Sequence, residues 1–338
     1  MGMEESKKTG KDFFDRVQTL TEDCLTRRKA KRLAKKNRKK TVWTEIRDWL
    51  DAIVFAVVVV FLINQFLFQM FVIPSPSMQD TLLIGDRVWV SKTAYGVELY
   101  PYGPKVFASG IVDRDQIITF YNPEYAGRSP LFSIVSKVLY MATLGFWNID
   151  VDEDGNPNEW LLVKRAAALP GDTVTFRNGN AYIRPAGLSS YQNEADFRSS
   201  NGYVTAPKRE IEPSAYNSYN ALAMLQGLQK KGVSVQDMPV YLREEASGLD
   251  SSAFYTDYYG FNHMGYRGVR MADPTDMEAR SYWARHQIGL YVPENCVLPL
   301  GDNRDNSNDG RYFGPVDYSL LTGRLSSTVW PLSRIRSF

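Results

Sequence analysis

Ala52-Ile-Val-Phe-Ala-Val-Val-Val-Val-Phe-Leu-Ile-Asn-Gln-Phe-Leu-Phe-Gln-Met-Phe-Val-Ile73 is a run of 22 residues without a charge. As a helix it would measure ~33 Å, against ~30 Å for the hydrocarbon core of a bilayer. Asn64, Gln65 and Gln69 are polar but uncharged, and a membrane helix can carry them. Trp43 and Trp49 flank its start, where interfacial aromatics sit. The stretch therefore predicts one transmembrane helix over residues 51–73. A buried core helix is the rival reading, but the length and missing charges favour the bilayer. A cleavable signal peptide would be shorter and would end in small residues rather than Phe-Val-Ile-Pro-Ser-Pro.

Upstream, ten of the fourteen residues from Arg27 to Lys40 are Lys or Arg and none is acidic. Beside an apolar span this run predicts a cytoplasmic N-terminus, with residues after Ile73 outside. It also predicts contact with anionic phospholipid rather than nucleic acid. Cys24 and Cys296 would then lie on opposite sides of the membrane and could not pair within one chain. The formal net charge of +2 over 338 residues hides this asymmetry. Residues 1–50 hold 15 Lys+Arg and 8 Asp+Glu, a balance of +7; the remainder holds 25 and 30, a balance of −5. Two Cys exclude a disulfide scaffold, and two His disfavour a multi-His metal centre or a His-based triad.

Downstream, Arg87–Ser91, Gln116–Tyr121, Thr173–Phe176 and Ala181–Arg184 are short, rich in β-branched and aromatic residues, and bounded by turn formers. They predict a mostly β, antiparallel body. Ser214–Lys231 and Asp273–His286 have helical spacing or capping signals. Residues 185–290 read as an inserted α+β subdomain. The predicted organisation is a basic segment (1–50), the span (51–73), a β domain in two parts (74–184 and 291–338), and the insertion.

Three motifs carry chemistry: Ile73-Pro-Ser-Pro-Ser-Met-Gln-Asp-Thr-Leu82, Lys164-Arg-Ala-Ala-Ala-Leu-Pro-Gly-Asp172 and Gly301-Asp-Asn-Arg-Asp-Asn-Ser-Asn-Asp-Gly-Arg311. Singly, each could be a linker, a turn or a loop. In this order after one apolar span, they closely resemble the bacterial type I signal peptidases, membrane-bound Ser-Lys endopeptidases. The resemblance covers about 49–96, 113–123, 163–184, 292–315 and Trp330-Pro331, and no part of the insertion residue by residue. It implies Ser77 as nucleophile and Lys164 as general base. Ser75 and the Ser77 amide would hold the oxyanion, with Ser307, Asp309, Arg311 and Asp302 in support. Ile73, Pro74, Met78, Leu82, Leu162 and Val163 would contact substrate, in shallow pockets that admit small side chains at −1 and −3. The implied partners are signal peptides of exported preproteins, the bilayer and the secretion translocon, with no metal, cofactor or nucleic acid.

The residues agree chemically with that resemblance. A serine hydroxyl needs a neighbouring base, and a lysine is a base only when neutral, which an apolar setting favours. Lys164 follows Trp160-Leu-Leu-Val163 and precedes Ala166–Leu169. Three positions depart from the family pattern. Asp80 stands where Pro is usual, which bears on the P1 pocket; Pro76 stands where small residues are frequent; Gly310 stands where Ser is common. Asp150-Val-Asp-Glu-Asp-Gly-Asn opens like a calcium loop, but Leu161 stands where its bidentate Glu belongs, so a solvated acidic turn is expected. His263 and His286 lack metal-ligand spacing and predict ordinary polar or helix-end roles, and the insertion's tyrosines predict packing roles.

Overall fold

The computed structural model describes residues 19, 21–23, 25–31, 42–100, 102–107, 111–125, 129–143, 147–151, 155, 158, 160–203, 207–249 and 257–338. Cys24, residues 32–40 of the basic run and 152–154 of the acidic turn fall outside them. The chain divides into two units, Met1–Val58 and Val59–Phe338. The boundary falls within one helix, α1 (Val42–Phe66).

The transmembrane prediction needs correction here. The uncharged run is not one helix to Ile73. It leaves the helix after Phe66 and enters a strand, β1 (Phe68–Val72). The polar residues placed within the span mark the change. Gln65 is buried and donates from Nε2 to Glu98 O at 2.9 Å, and buried Gln69 lies on β1. Strand β1 takes its hydrogen bonds from β2 (Arg87–Ser91), with Phe68 opposite Ser91 and Val72 opposite Arg87. The uncharged helical part is Ala52–Phe66, roughly 22 Å long. Among the described residues, no helix is long and apolar enough to cross a membrane.

The β-rich expectation holds. The remaining strands are β3 (Val97–Glu98), β4 (Lys105–Val106), β5 (Ile117–Tyr121), β6 (Leu161–Ala168), β7 (Thr173–Arg177), β8 (Asn180–Arg184), β9 (Gln192–Asn193), β10 (Leu290–Tyr291), β11 (Cys296–Leu300), β12 (Val316–Asp317), β13 (Leu321–Trp330) and β14 (Arg336–Ser337). The main sheet runs β1-β2-β13-β5-β6-β11-β12, with β14 against β13. All its ladders are antiparallel. A second sheet runs β10-β7-β8-β9, and β3 pairs with β4. Central strands carry apolar residues on both faces because both faces are covered. Ile117, Val88, Val90 and Leu325 pack with Ile73, Met78 and Leu82. Ile118, Phe120, Ala166, Val297 and Leu321 form a separate cluster.

One short helix, α2 (Pro130–Ala142), precedes β6. The insertion is mainly helical rather than α+β. It contributes α3 (Glu194–Ser200), α4 (Tyr216–Lys230), α5 (Val240–Ser247), α6 (Tyr258–Ala272) and α7 (Met277–Ile288), adds β9 and the first residue of β10 to the second sheet, and packs Phe197 and Tyr259 against that sheet. Helix α4 lies within the predicted Ser214–Lys231. Helix α7 starts later than Asp273, because the Asp276 carboxylate accepts from Ala279 N at 2.8 Å and caps it. Helices α4 and α6 approach so closely that a Cβ on Gly227 would sit 2.0 Å from Gly265 O, and one on Gly268 2.1 Å from Met224 O. Side chains at those positions would force the helices apart. His263 and His286 pack here, their rings stacked at 3.3 Å. Burial lowers the pKa of His263 to about 3 and that of His286 to about 4, so both are neutral near pH 7. Asp150 accepts from Tyr125 Oη at 2.5 Å and from Asn158 Nδ2 at 2.8 Å.

Candidate active site

Ser77 lies in a short 3-10 turn, Pro76–Met78, between β1 and β2. Pro76 suits its first position, because the ring presets φ and that N–H needs no partner. Thr81 N and Leu82 N both donate to Met78 O, at 3.1 and 2.7 Å, and continue the turn. Asp80 closes it with φ of 76°, left-handed backbone that aspartate tolerates and proline cannot adopt. At this position the departure from the family pattern is thus a different turn. Met78 and Leu82 bury their side chains beside Ile73, with Val163 packed against them. The turn is therefore clamped by apolar contacts on both sides of Ser77.

Strand β6 brings Lys164 to this turn. Its Nζ lies 2.9 Å from Ser77 Oγ and 3.2 Å from Val163 O, and the side chain is almost wholly buried. Ser75, half-buried, donates toward Ser77 Oγ over a long 3.4 Å contact. Four of the six residues expected to contact substrate, Ile73, Met78, Leu82 and Val163, lie together in the cluster beside Ser77. Pro74 is exposed next to it. Leu162 is not part of it and packs into the other core with Ile118 and Phe120.

The 301–311 loop backs the turn. Asn303 N donates to Ser77 O at 3.0 Å. Asp302 is held by Arg165, whose Nε and Nη2 reach its two oxygens at 2.7 and 2.6 Å, and by Thr81 Oγ1 at 2.5 Å. Burial would raise the Asp302 carboxyl, but Arg165 and Thr81 outweigh it and hold it below the usual carboxylate range. Asp309, fully buried, accepts from Gly301 N at 2.9 Å and from Arg311 Nε and Nη2 at 2.9 and 3.1 Å. Burial opposes this charge too, yet Arg311 and the two backbone N–H groups keep the carboxyl low. Three rings, of Phe176, Tyr259 and Tyr312, lie about Arg311 at 6.0, 5.9 and 5.9 Å. Gly301 has no room for a side chain, since a Cβ would fall 2.1 Å from Ser307 Oγ and 2.7 Å from Ser77 O.

Ser307 lies in the same loop. Its hydroxyl is buried and has no hydrogen-bond partner among the described residues. It lies beside Gly301 and the Ser77 carbonyl.

Residue patterns gave no signal for Glu194, Arg209, Glu210, Tyr216 and Asp257. All five belong to the insertion and grip the same loop. Glu194 pairs with Arg304 through both guanidinium ends, one contact measuring 2.7 Å. Asp305 accepts from Arg209 Nε at 3.0 Å and from the N–H groups of Glu210 and Ile211 at 2.6 and 3.0 Å. Asp257 accepts from Tyr216 Oη at 3.0 Å and lies 4.0 Å from Arg311. Only their acid-base complementarity to Arg304, Asp305 and Arg311 could have flagged them, and no local spacing predicts such distant pairs.

Known proteins resemble this chain across the same residues. A 290-residue stretch is 24% identical to signal peptidase I of Haemophilus influenzae, covering 85% of this chain and 70% of that protein. Signal peptidase IB of Staphylococcus aureus is 22% identical over 293 residues, 86% of this chain and 93% of its own length. A 42-residue stretch is 55% identical to mitochondrial inner membrane protease subunit 1 of Xenopus tropicalis, covering 12% of this chain and 25% of that one. The profile described as "Signal peptidase, peptidase S26" matches residues 46–330, which include Ser77, Lys164 and the whole 301–311 loop, so the chain belongs to that family.

Proposed function

We infer that Ser77 and Lys164 carry the chemistry of this chain, which its family makes a serine endopeptidase removing signal peptides. The carrying observation is the 2.9 Å contact between Lys164 Nζ and Ser77 Oγ in a buried setting. Neutral Lys164 takes the Ser77 proton as Oγ attacks the scissile carbonyl. The oxyanion is received by the Ser77 N–H and the Ser75 hydroxyl. Collapse releases the mature chain's amine, which takes the proton back from Lys164. Water, deprotonated by the same lysine, then frees the signal peptide from Ser77. Ile73, Met78, Leu82 and Val163 bound the apolar wall beside the nucleophile and suit small side chains at −1 and −3. Pro74 flanks it, and Leu162 shapes it from the next core. Asp302, Asp309 and Arg311 hold the loop behind Ser77, and Ser307 is assigned the part of orienting Lys164.

The exposed apolar face of α1 supports a location at the membrane. Ile53, Val54, Phe55, Val57 and Val58 are exposed apolar residues that suit lipid better than water. Its uncharged part is shorter than a bilayer core, a mismatch met by local thinning and by Arg47 reaching to the head groups. We assign residues 1–50 to the cytoplasmic side and the β body to the outer side of a bacterial cytoplasmic membrane. The basic run then faces anionic lipid, and the secretion translocon delivers the preprotein.

The test is cleavage of a preprotein by the full chain in phospholipid vesicles, with N-terminal sequencing of the product. Ser77→Ala and Lys164→Ala each lower kcat by about 10³-fold or more while the protein still folds. Wild-type turnover in either variant would refute the dyad.

A further inference from the structure

We propose that the helical insertion is a positioning element of the active site, acting through Glu194 and Glu210 on the loop that holds the nucleophile. This rests on Ser77 being that nucleophile. A continuous line of bonds leads from the insertion to it. Glu194, the first residue of α3, binds both ends of the Arg304 guanidinium, and both side chains are buried. Arg304 Nε in turn donates to Gly301 O at 2.8 Å. Gly301 N is held by Asp309, so the peptide groups on either side of Gly301 are both fixed. Two residues on, Asn303 N donates to Ser77 O.

A second grip lies alongside. Lys208 N donates to Asp302 O at 2.7 Å, and Arg304 N to Lys208 O at 3.1 Å. Residue 208 thus pairs with Asn303 as in a parallel bridge. Glu210 Oε1 accepts from Asn303 Nδ2 at 2.8 Å, on the residue whose backbone holds Ser77. The 301–305 loop therefore has the nucleophile's turn on one side and the insertion on the other. A nucleophile displaced by a fraction of an ångström from its base and the oxyanion donors loses rate far more than substrate affinity.

A purely structural role would predict something else. A buried ion pair that only ties two segments together could be exchanged for neutral residues with recovery of both stability and activity. In the positioning role, the neutral exchange restores stability but leaves the Gly301 carbonyl without its Arg304 donor.

The experiment measures kcat, KM and Tm of the full chain in phospholipid vesicles for Glu194→Gln, the double variant Glu194→Gln/Arg304→Met, and Glu210→Ala. Glu194→Gln is expected to lower kcat about tenfold or more with KM changed less than about twofold. The double variant regains Tm, and its kcat stays low. Glu210→Ala takes away an exposed side chain and leaves the buried Asn303 amide without that acceptor; its Tm falls by a few degrees at most, and its kcat, measured well below Tm, falls about threefold. A fall in kcat at a temperature where the variant is fully folded, in the double variant or in Glu210→Ala, supports the inference. Should the double variant not fold, Glu210→Ala decides alone. If kcat merely follows Tm in every variant, the insertion is structural and the inference is overturned. Ser77→Ala in the same assay keeps the two readings apart, since activity there would refute the nucleophile and not the insertion.

Discussion

The Ser77 turn and the 301–311 loop behind it treat buried polarity in opposite ways. At the turn, a buried lysine meets a hydroxyl among apolar side chains, an arrangement suited to moving a proton. Behind it, buried carboxylates and guanidiniums are matched almost atom for atom: Asp302 with Arg165, Glu194 with Arg304, Asp309 with Arg311. A reactive group must keep a protonation state within reach, whereas a scaffold charge must never lose its partner. One site needs both, and separate stretches of chain supply them.

Breaking a scaffold pair should have the largest effect on stability. Asp309→Asn leaves Arg311 buried without its partner and should cost about 3–5 kcal/mol, read as a lower denaturant midpoint at unchanged slope. Little change would mean that water or Asp257 compensates the charge. Next comes the close approach. Gly301→Ala would press a methyl group on Ser307 and the Ser77 carbonyl. It should cost about 1–3 kcal/mol and lower kcat more than it raises KM.

Acid should act on the scaffold. Asp302 and Asp309 have carboxyls held below their ordinary range, so their stabilisation is complete above the unfolded pKa near ~3.9 and is lost as pH falls through the lower folded value. Tm should be insensitive to these groups at pH 5–7 and fall below about pH 4, and Asp309→Asn should flatten that fall. The smallest effect should be at the departure in the turn. Asp80→Gly keeps φ of 76° accessible and should change stability by under about 0.5 kcal/mol, while Asp80→Pro cannot adopt it and should cost several-fold more.

Legibility in the sequence followed the range of the interactions. Strands such as Arg87–Ser91 were readable because their pattern repeats every two residues. Ser77 and Lys164 were singled out by the order of short motifs that resembles a known family, and the fold brings the two side chains together. The apolar run was read correctly as helix up to Phe66 and wrongly beyond it. Phe68–Val72 is apolar enough for either element, and its strand partner lies some twenty residues further along. Likewise α7 began later than the Asp-Pro signal, because Asp276 caps it while Asp273 ends the preceding helix.

By itself, the sequence determined which atoms were available: one Ser-Lys dyad candidate with few histidines to rival it, strand-forming segments, and a basic segment beside an apolar run. Those are properties of composition and local spacing. Only the tertiary structure decided that residues 87 positions apart would stand 2.9 Å from each other, that the Ser307 hydroxyl would be buried without a partner among the described residues, and that a helical insertion would pair its carboxylates with the loop behind Ser77. Long-range pairing depends on which surfaces bury together, and no periodicity along the chain encodes that.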